Sequence, residues 1–331
     1  MGREKKKRRL SAAATAEFAR SFGTLLAAGL PAAEALRSIA ESRGSFAVRQ
    51  ASDRVRAGLK EGYSLSEAVR RSGMFPRAAV AAFRAEPLEG ARRLERYCEG
   101  QHELGVRLRA AFLQPGILLG VTLLVLLVLL GVVLPGYFEL FEREELPGAT
   151  AALARMSLFL ARDWGWAILV LAGTAALFVL LFRLPVLARH TQRLLLYLPF
   201  VGHRLRTVET GRFAQGLQLY CESGLAPKEA FYQSGGSVRN RWLAARVAAV
   251  PEEADLVQSV RAVGVFDRQL AGLLGRGEET LPIAAKLCTE EAERAADQLC
   301  RTAEPVLCGL SALLMLFVMI SILLPAFGLF S

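Results

Sequence analysis

Hydrophobic and polar positions alternate along this chain on two scales. On the long scale, three stretches carry no Asp, Glu, Lys or Arg: Ala110 to Phe138, Trp164 to Phe182 and Pro305 to Ser331. A helix crosses the hydrocarbon layer of a bilayer in roughly 20 residues at about 1.5 Å each. The first and third stretches exceed that length, and the middle one reaches about 28 Å, so all three are predicted spans. A buried core helix is the alternative for each, with most force for the shorter middle stretch. On the short scale, Phe18, Phe22, Leu25 and Leu26 fall at i, i+4, i+7 and i+8, which is one face of a helix. Gly29 follows where a left-handed cap is needed, Leu30 can pack back on the last turn, and Pro31 suits the first position of the next helix. The pattern predicts a helix-turn-helix hairpin. No sustained period-two alternation occurs, so the predicted fold is all-α.

The hairpin pattern occurs twice. Phe18 to Leu36, FARSFGTLLAAGLPAAEAL, falls on Phe213 to Phe231, FAQGLQLYCESGLAPKEAF, and the second copy repeats Phe213, Leu217, Tyr220 and Cys221 followed by Gly224, Leu225 and Pro227. Gln114-Pro115 before the first apolar stretch meets Glu304-Pro305 before the third, and these stretches exit as LPGYFELF from Leu134 and LPAFGLF from Leu324. Ser64 and Glu67 read as a capping box, and Pro251 with Glu252 and Glu253 as the start of the counterpart helix. Charged helices, Leu88 to Arg109 and Leu281 to Arg301, lead toward the first and third spans. Each unit is thus a helical domain plus one span, and the middle span returns the chain to its original side.

Charge sets the orientation. Residues 1–112 hold 22 Lys and Arg and residues 183–304 hold 16, whereas 135–163 has only Arg143, Arg155 and Arg162 beside five acids. An excess of Lys and Arg marks the cytoplasmic side. The expected order is a basic tail at 1–10, a cytoplasmic helical domain at 11–110, a span at 111–134, an external loop at 135–163, a span at 164–183, a second cytoplasmic domain at 184–304 and a span at 305–328. The basic run and apolar stretch at the amino terminus resemble a signal peptide, but Glu17 and Arg20 interrupt it and its pattern recurs around Phe213. With 331 residues, 53% of them hydrophobic, and a net charge of +10, the chain is too apolar for a basic soluble protein.

Candidate chemistry is sparse. Cys98, Cys221, Cys288, Cys300 and Cys308 make no C-x-x-C, and His102, His190 and His203 form no metal pattern with them, so reduced, packed thiols are expected. The chain has no phosphate-binding G-x-x-x-x-G-K-[ST], no H-E-x-x-H and no nucleophile signature. No enzyme activity, cofactor or metal site is assigned. Glu142, Glu144 and Glu145 in the external loop read as hydrated acids before they read as a cation site. The run Lys5 to Arg9 suits either anionic lipid heads or a solvated tail, and without aromatic-basic interleaving it does not indicate nucleic acid. Gly116 and Gly120 form a G-x-x-x-G that permits a close helix contact, although so short a motif also arises by chance.

These residues carry a family resemblance. The F-A-x-x-x-x-x-L-x-x-x-G-L hairpin, the later Gly277-Glu278 pair, the Glu304-Pro305 step, the Leu-Pro exit and the duplicated plan resemble the F family of type II secretion, shared with type IV pilus platform proteins. Copy one departs from it with Ala85-Glu86 in place of Gly-Glu and a glycine displaced to Gly90, and copy two with Thr280-Leu281-Pro282. The resemblance implies an inner-membrane assembly platform that binds a secretion or pilus ATPase, neighbouring platform proteins and pilin-like subunits, sits in the lipid bilayer as a homo-oligomer, and has no chemistry of its own. It also marks Gly29, Gly224, Gly277, Glu278, Gln114, Pro115, Glu304 and Pro305 as motif positions with a structural role. The alternatives are a membrane-tethered helical adaptor and a small transporter component. The second is weakened because the three charge-free stretches offer a pathway only neutral polar groups, among them Gln114, Thr122, Thr174, Ser311 and Ser321.

Overall fold

A computed structural model describes residues 9–128, 196 and 201–328. Among them the chain is helical, with no strand. Copy one runs α1 (Ala12–Ala27), α2 (Ala32–Glu41), α3 (Phe46–Lys60), α4 (Leu65–Ser72), α5 (Arg77–Ala82) and α6 (Pro87–Val128). Copy two repeats the order as α7 (Val201–Glu222), α8 (Pro227–Ser234), α9 (Arg241–Ala248), α10 (Leu256–Val263), α11 (Arg268–Leu274) and α12 (Leu281–Gly328). Residues 1–107 and 192–296 form one compact unit, and 108–191 with 297–331 form a second.

The hairpins have the geometry that their sequence demands. Gly29 has φ 88° and Gly224 φ 80°. Leu30 donates its amide to Leu25 O at 3.1 Å and Gly29 to Leu26 O at 2.9 Å; Leu225 and Gly224 do the same to Tyr220 O and Cys221 O. These paired bonds satisfy carbonyls that a helix end otherwise leaves open. Pro227 is the first residue of α8, whereas Pro31 stands just before α2.

Other starts are set by short polar side chains. The Ser11, Ser45 and Ser64 hydroxyls each accept an amide three residues on, and Asn240 Oδ1 accepts from Trp242 and Leu243. The Ser64–Glu67 box is half formed, because the Glu67 carboxylate turns to Arg70 and Arg71. The helix expected to start at Pro251 starts at Leu256 behind Asp255. Residues 252–254 form a turn first, and Asp255 has the extended backbone of a cap.

Each copy is centred on packed aromatics, edge-on in copy one and stacked in copy two. Phe18 packs on Phe75 with centroids 4.7 Å apart, and Phe213 packs on Phe266 at 4.3 Å. Phe75 and Phe266 each follow a left-handed glycine cap, Gly73 and Gly264, both with φ 67°. The repeat therefore extends well beyond the hairpins. Gly90 lies under the α5–α6 turn, where a Cβ would stand 2.3 Å from the Ala82 carbonyl oxygen.

In the second unit, α6 and α12 continue into the apolar stretches. Pro115 and Pro305 lie inside these helices, so neither proline opens a helix. The charged helix reaches proline already wound, so proline removes one backbone donor without ending it. Ile117, Val121, Val125 and Val128 on α6 and Leu313, Leu316, Met319 and Ile320 on α12 are exposed. Among the described residues no helix is long and apolar enough to cross a membrane. The expected middle span, the external loop with Glu142, Glu144 and Glu145, and the run Lys5 to Arg8 lie outside those residues.

Candidate interaction site between the two copies

The first compact unit holds a polar seam where α6 of copy one meets α7 and the α8–α9 turn of copy two. Spacing on α6 aims Arg93, Tyr97 and Gln101 along one face. Arg93 pairs with Glu222 at 3.6 Å, the Tyr97 hydroxyl meets the Ser237 hydroxyl at 2.8 Å, and Gln101 Nε2 donates to Arg212 O and Gln215 Oε1 at 3.2 and 3.1 Å. Gln215 then donates to Thr289 Oγ1 of α12 at 3.2 Å, and Arg107 pairs with Glu293 at 3.5 Å. Burial raises the Tyr97 hydroxyl pKa, against the opposing bond to Ser237.

Behind this seam lies a charge pair. Glu209 is buried and accepts the Arg239 amide at 2.8 Å and the Asn240 amide at 3.5 Å. Arg212, one turn on, has no solvent exposure, and among the described residues its Nε, Nη1 and Nη2 have no hydrogen-bond partner. Burial raises the Glu209 pKa, opposed chiefly by the Arg212 charge, and burial lowers that of Arg212, opposed by Glu209. An ion taken from water costs several kcal/mol unless it is well paired, so this guanidinium is a strained component of the seam. Nothing in the sequence pattern signalled it, since an arginine on an amphipathic helix reads as a solvent face.

Two clefts of about 320 Å³ flank the seam. One lies between α6, α7 and α12, with Arg93, Tyr97, Gln215, Glu222, Lys286 and Thr289 among its walls. The other lies between α4 and α5 of copy one and α7 and α8 of copy two, where Arg9, Arg70, Arg77 and Arg84 face a single acid, Glu229.

The motif residues marked from sequence are placed elsewhere. Gly29 and Gly224 cap the hairpins, Gly277 (φ 123°) precedes a 3-10 turn at Glu278–Thr280, and Gln114, Pro115, Gly116 and Gly120 lie along α6 with Glu304 and Pro305 on α12. Among the described residues a Cβ on Gly120 would meet nothing within 4 Å. None of these residues lines either cleft. The Cys98 and Cys288 thiols are buried, which pushes both up to about 12. Among the described residues no group of three or more His, Cys, Asp or Glu could hold a metal ion.

Residues 18–135, copy one through the first apolar stretch, match the family model described as type II secretion system (T2SS), protein F. Type II secretion system protein F of Pseudomonas aeruginosa is 30% identical over 82% of this chain and 70% of that protein. The chain belongs to the type II secretion system protein F family. The family likeness extends to type II secretion system protein F of Aeromonas hydrophila, 28% identical over 95% of this chain and 86% of the relative. It also takes in the type IV pilus assembly protein PilC of Pseudomonas aeruginosa, 25% identical over 94% and 88%. The family is thus one of secretion and pilus machinery, and the polar seam and its clefts are features of a member of it.

Proposed function

We propose that this protein is a non-enzymatic platform subunit in the bacterial inner membrane, coupling a cytoplasmic ATPase to the extrusion of pilin-like subunits in a type II secretion or type IV pilus machine. The observation that carries the proposal is the packing of two helical copies into one compact unit, joined by a polar seam, in a chain of this family. The two copies share a buried apolar core and meet along the seam through hydrogen bonds and ion pairs, the mixed character of an interface between domains of one chain. The exposed valine, isoleucine, leucine and methionine side chains of α6 and α12 suit lipid contact.

In this reading residues 11–110 and 184–304 are cytoplasmic and three spans leave the carboxyl terminus outside. Alkaline phosphatase fused at residue 145 or 331 is active, and at 60 or 250 inactive; activity at 250 removes the three-span arrangement. The platform itself is tested by deletion and complementation. Loss of secretion or fibres on deletion, restored by the full chain, is the expected result. A strain that keeps both, or loses instead the uptake of a solute, turns the reading toward an adaptor or a transporter component.

A further inference from the structure

The cleft between the copies is rimmed by arginine side chains. Arg9, Arg77 and Arg84 are exposed and make no ion pair among the described residues, while Arg70 shares Glu67 with Arg71. Against these cations the cleft offers one carboxylate, Glu229. Its floor is apolar, with Phe75, Val80, Ala81, Tyr220 and Leu225. Burial pushes the Tyr220 hydroxyl up to about 12 in spite of the nearby Arg77 charge, so the floor stays neutral.

A cation-rimmed cleft with an apolar floor matches a ligand that carries both carboxylates and apolar side chains. Guanidinium forks take carboxylate or phosphate equally well. Phosphate sites, however, also recruit backbone amides and hydroxyls. Here the lining has no Ser or Thr, and the amides of Gly73 and Leu225 are spent inside their helix caps, on Arg70 O and Tyr220 O. We propose that this cleft is the docking site for an acidic, amphipathic segment of a partner protein, gripped by Arg77 and Arg84 of copy one against an apolar floor supplied by both copies. The proposal rests on the platform reading only for the partner's place in the machine; the chemistry of the cleft stands apart from it. Because both copies form the walls, an occupied cleft holds them together.

The test uses the full chain in lipid nanodiscs and a fluorescein-labelled peptide of Glu–Leu repeats, read by anisotropy. Saturable binding is expected, weakened by more than about tenfold in R77E/R84E, as reversal of two rim charges implies, and weakened as salt shortens the reach of the charges. Variants are compared by thermal melt. If the double variant does not fold, R77Q and R84Q singly serve in its place, each with a smaller loss. Equal binding of a Gln–Leu peptide, or unchanged binding in folded variants, overturns the proposal. Displacement of the peptide by pyrophosphate at lower concentration than by unlabelled peptide also overturns it, in favour of a phosphate site. A strain carrying R77E/R84E that still secretes or makes fibres, while its protein has lost the peptide, overturns the partner's place in the machine and leaves the platform reading intact. Failure of the deletion test with peptide binding intact has the opposite meaning.

Discussion

The buried Glu209–Arg212 pair gives the sharpest single-residue expectation. Removing one partner of a buried pair leaves an uncompensated charge, so Glu209→Ala should destabilise the fold by about 3–5 kcal/mol, read by chemical denaturation. Arg212→Met keeps the bulk and should cost less, because Glu209 keeps its bonds to the Arg239 and Asn240 amides, whereas the guanidinium makes no hydrogen bond among the described residues. A large loss in Arg212→Met means that this charge is held by something that the side-chain contacts do not reveal. Glu67 makes the opposite case at the surface. Its bonds to Arg70 and Arg71 hold its pKa at about 2, so its contribution to stability is complete above the usual carboxylate range and is lost as pH falls toward 2. Since the group is exposed, a carboxyl titration by NMR should show that pKa climbing as salt is added. The hidden Arg212 was not legible in the sequence because burial comes from α6, far away in the chain. No local period reports which face of one helix another will cover.

At the scale of the helix and its turn, much more could be read. The hairpins at Gly29 and Gly224 were legible because a helical period, a glycine and a proline within a few residues of one another state a local geometry. The caps at Gly73 and Gly264 and the aromatic partners beside them were less so, since copy two is a few residues shorter between its caps and its α9 has 8 residues where α3 has 15. The start at Asp255 was missed because a proline followed by two acids also makes a turn. Three glycines now separate two kinds of constraint. At Gly29 and Gly224 a Cβ meets no atom of the described residues within 4 Å, so alanine should cost about 1 kcal/mol through the backbone angle alone. Gly90 has no left-handed angle, yet alanine there drives a Cβ into the Ala82 carbonyl, so its loss should be the largest of the three. Thermal melts of the full chain carrying each substitution check the order; a Gly29 variant worse than a Gly90 variant contradicts it.

For the whole molecule, the all-α class and the duplication were visible in the sequence, but not that the two copies would pack as one unit. If that unit is cooperative, cutting the seam should be felt in both copies. Tyr97→Phe with Gln101→Ala leaves Ser237 and the Arg212 carbonyl without their partners, and amide hydrogen exchange should quicken along α6 and α7 together. Faster exchange confined to α6 means that the copies open independently. The seam also has a property that comes from its being shared by one chain. Two separate proteins meeting through such a surface, with a buried guanidinium behind it, would need enough affinity to find each other in dilute solution. Here the two sides are tethered, and their encounter is governed by an effective concentration that the connecting segment sets. A contact of modest strength therefore stays closed, does not depend on how much protein the cell makes, and can part and re-form without either side being lost to the other.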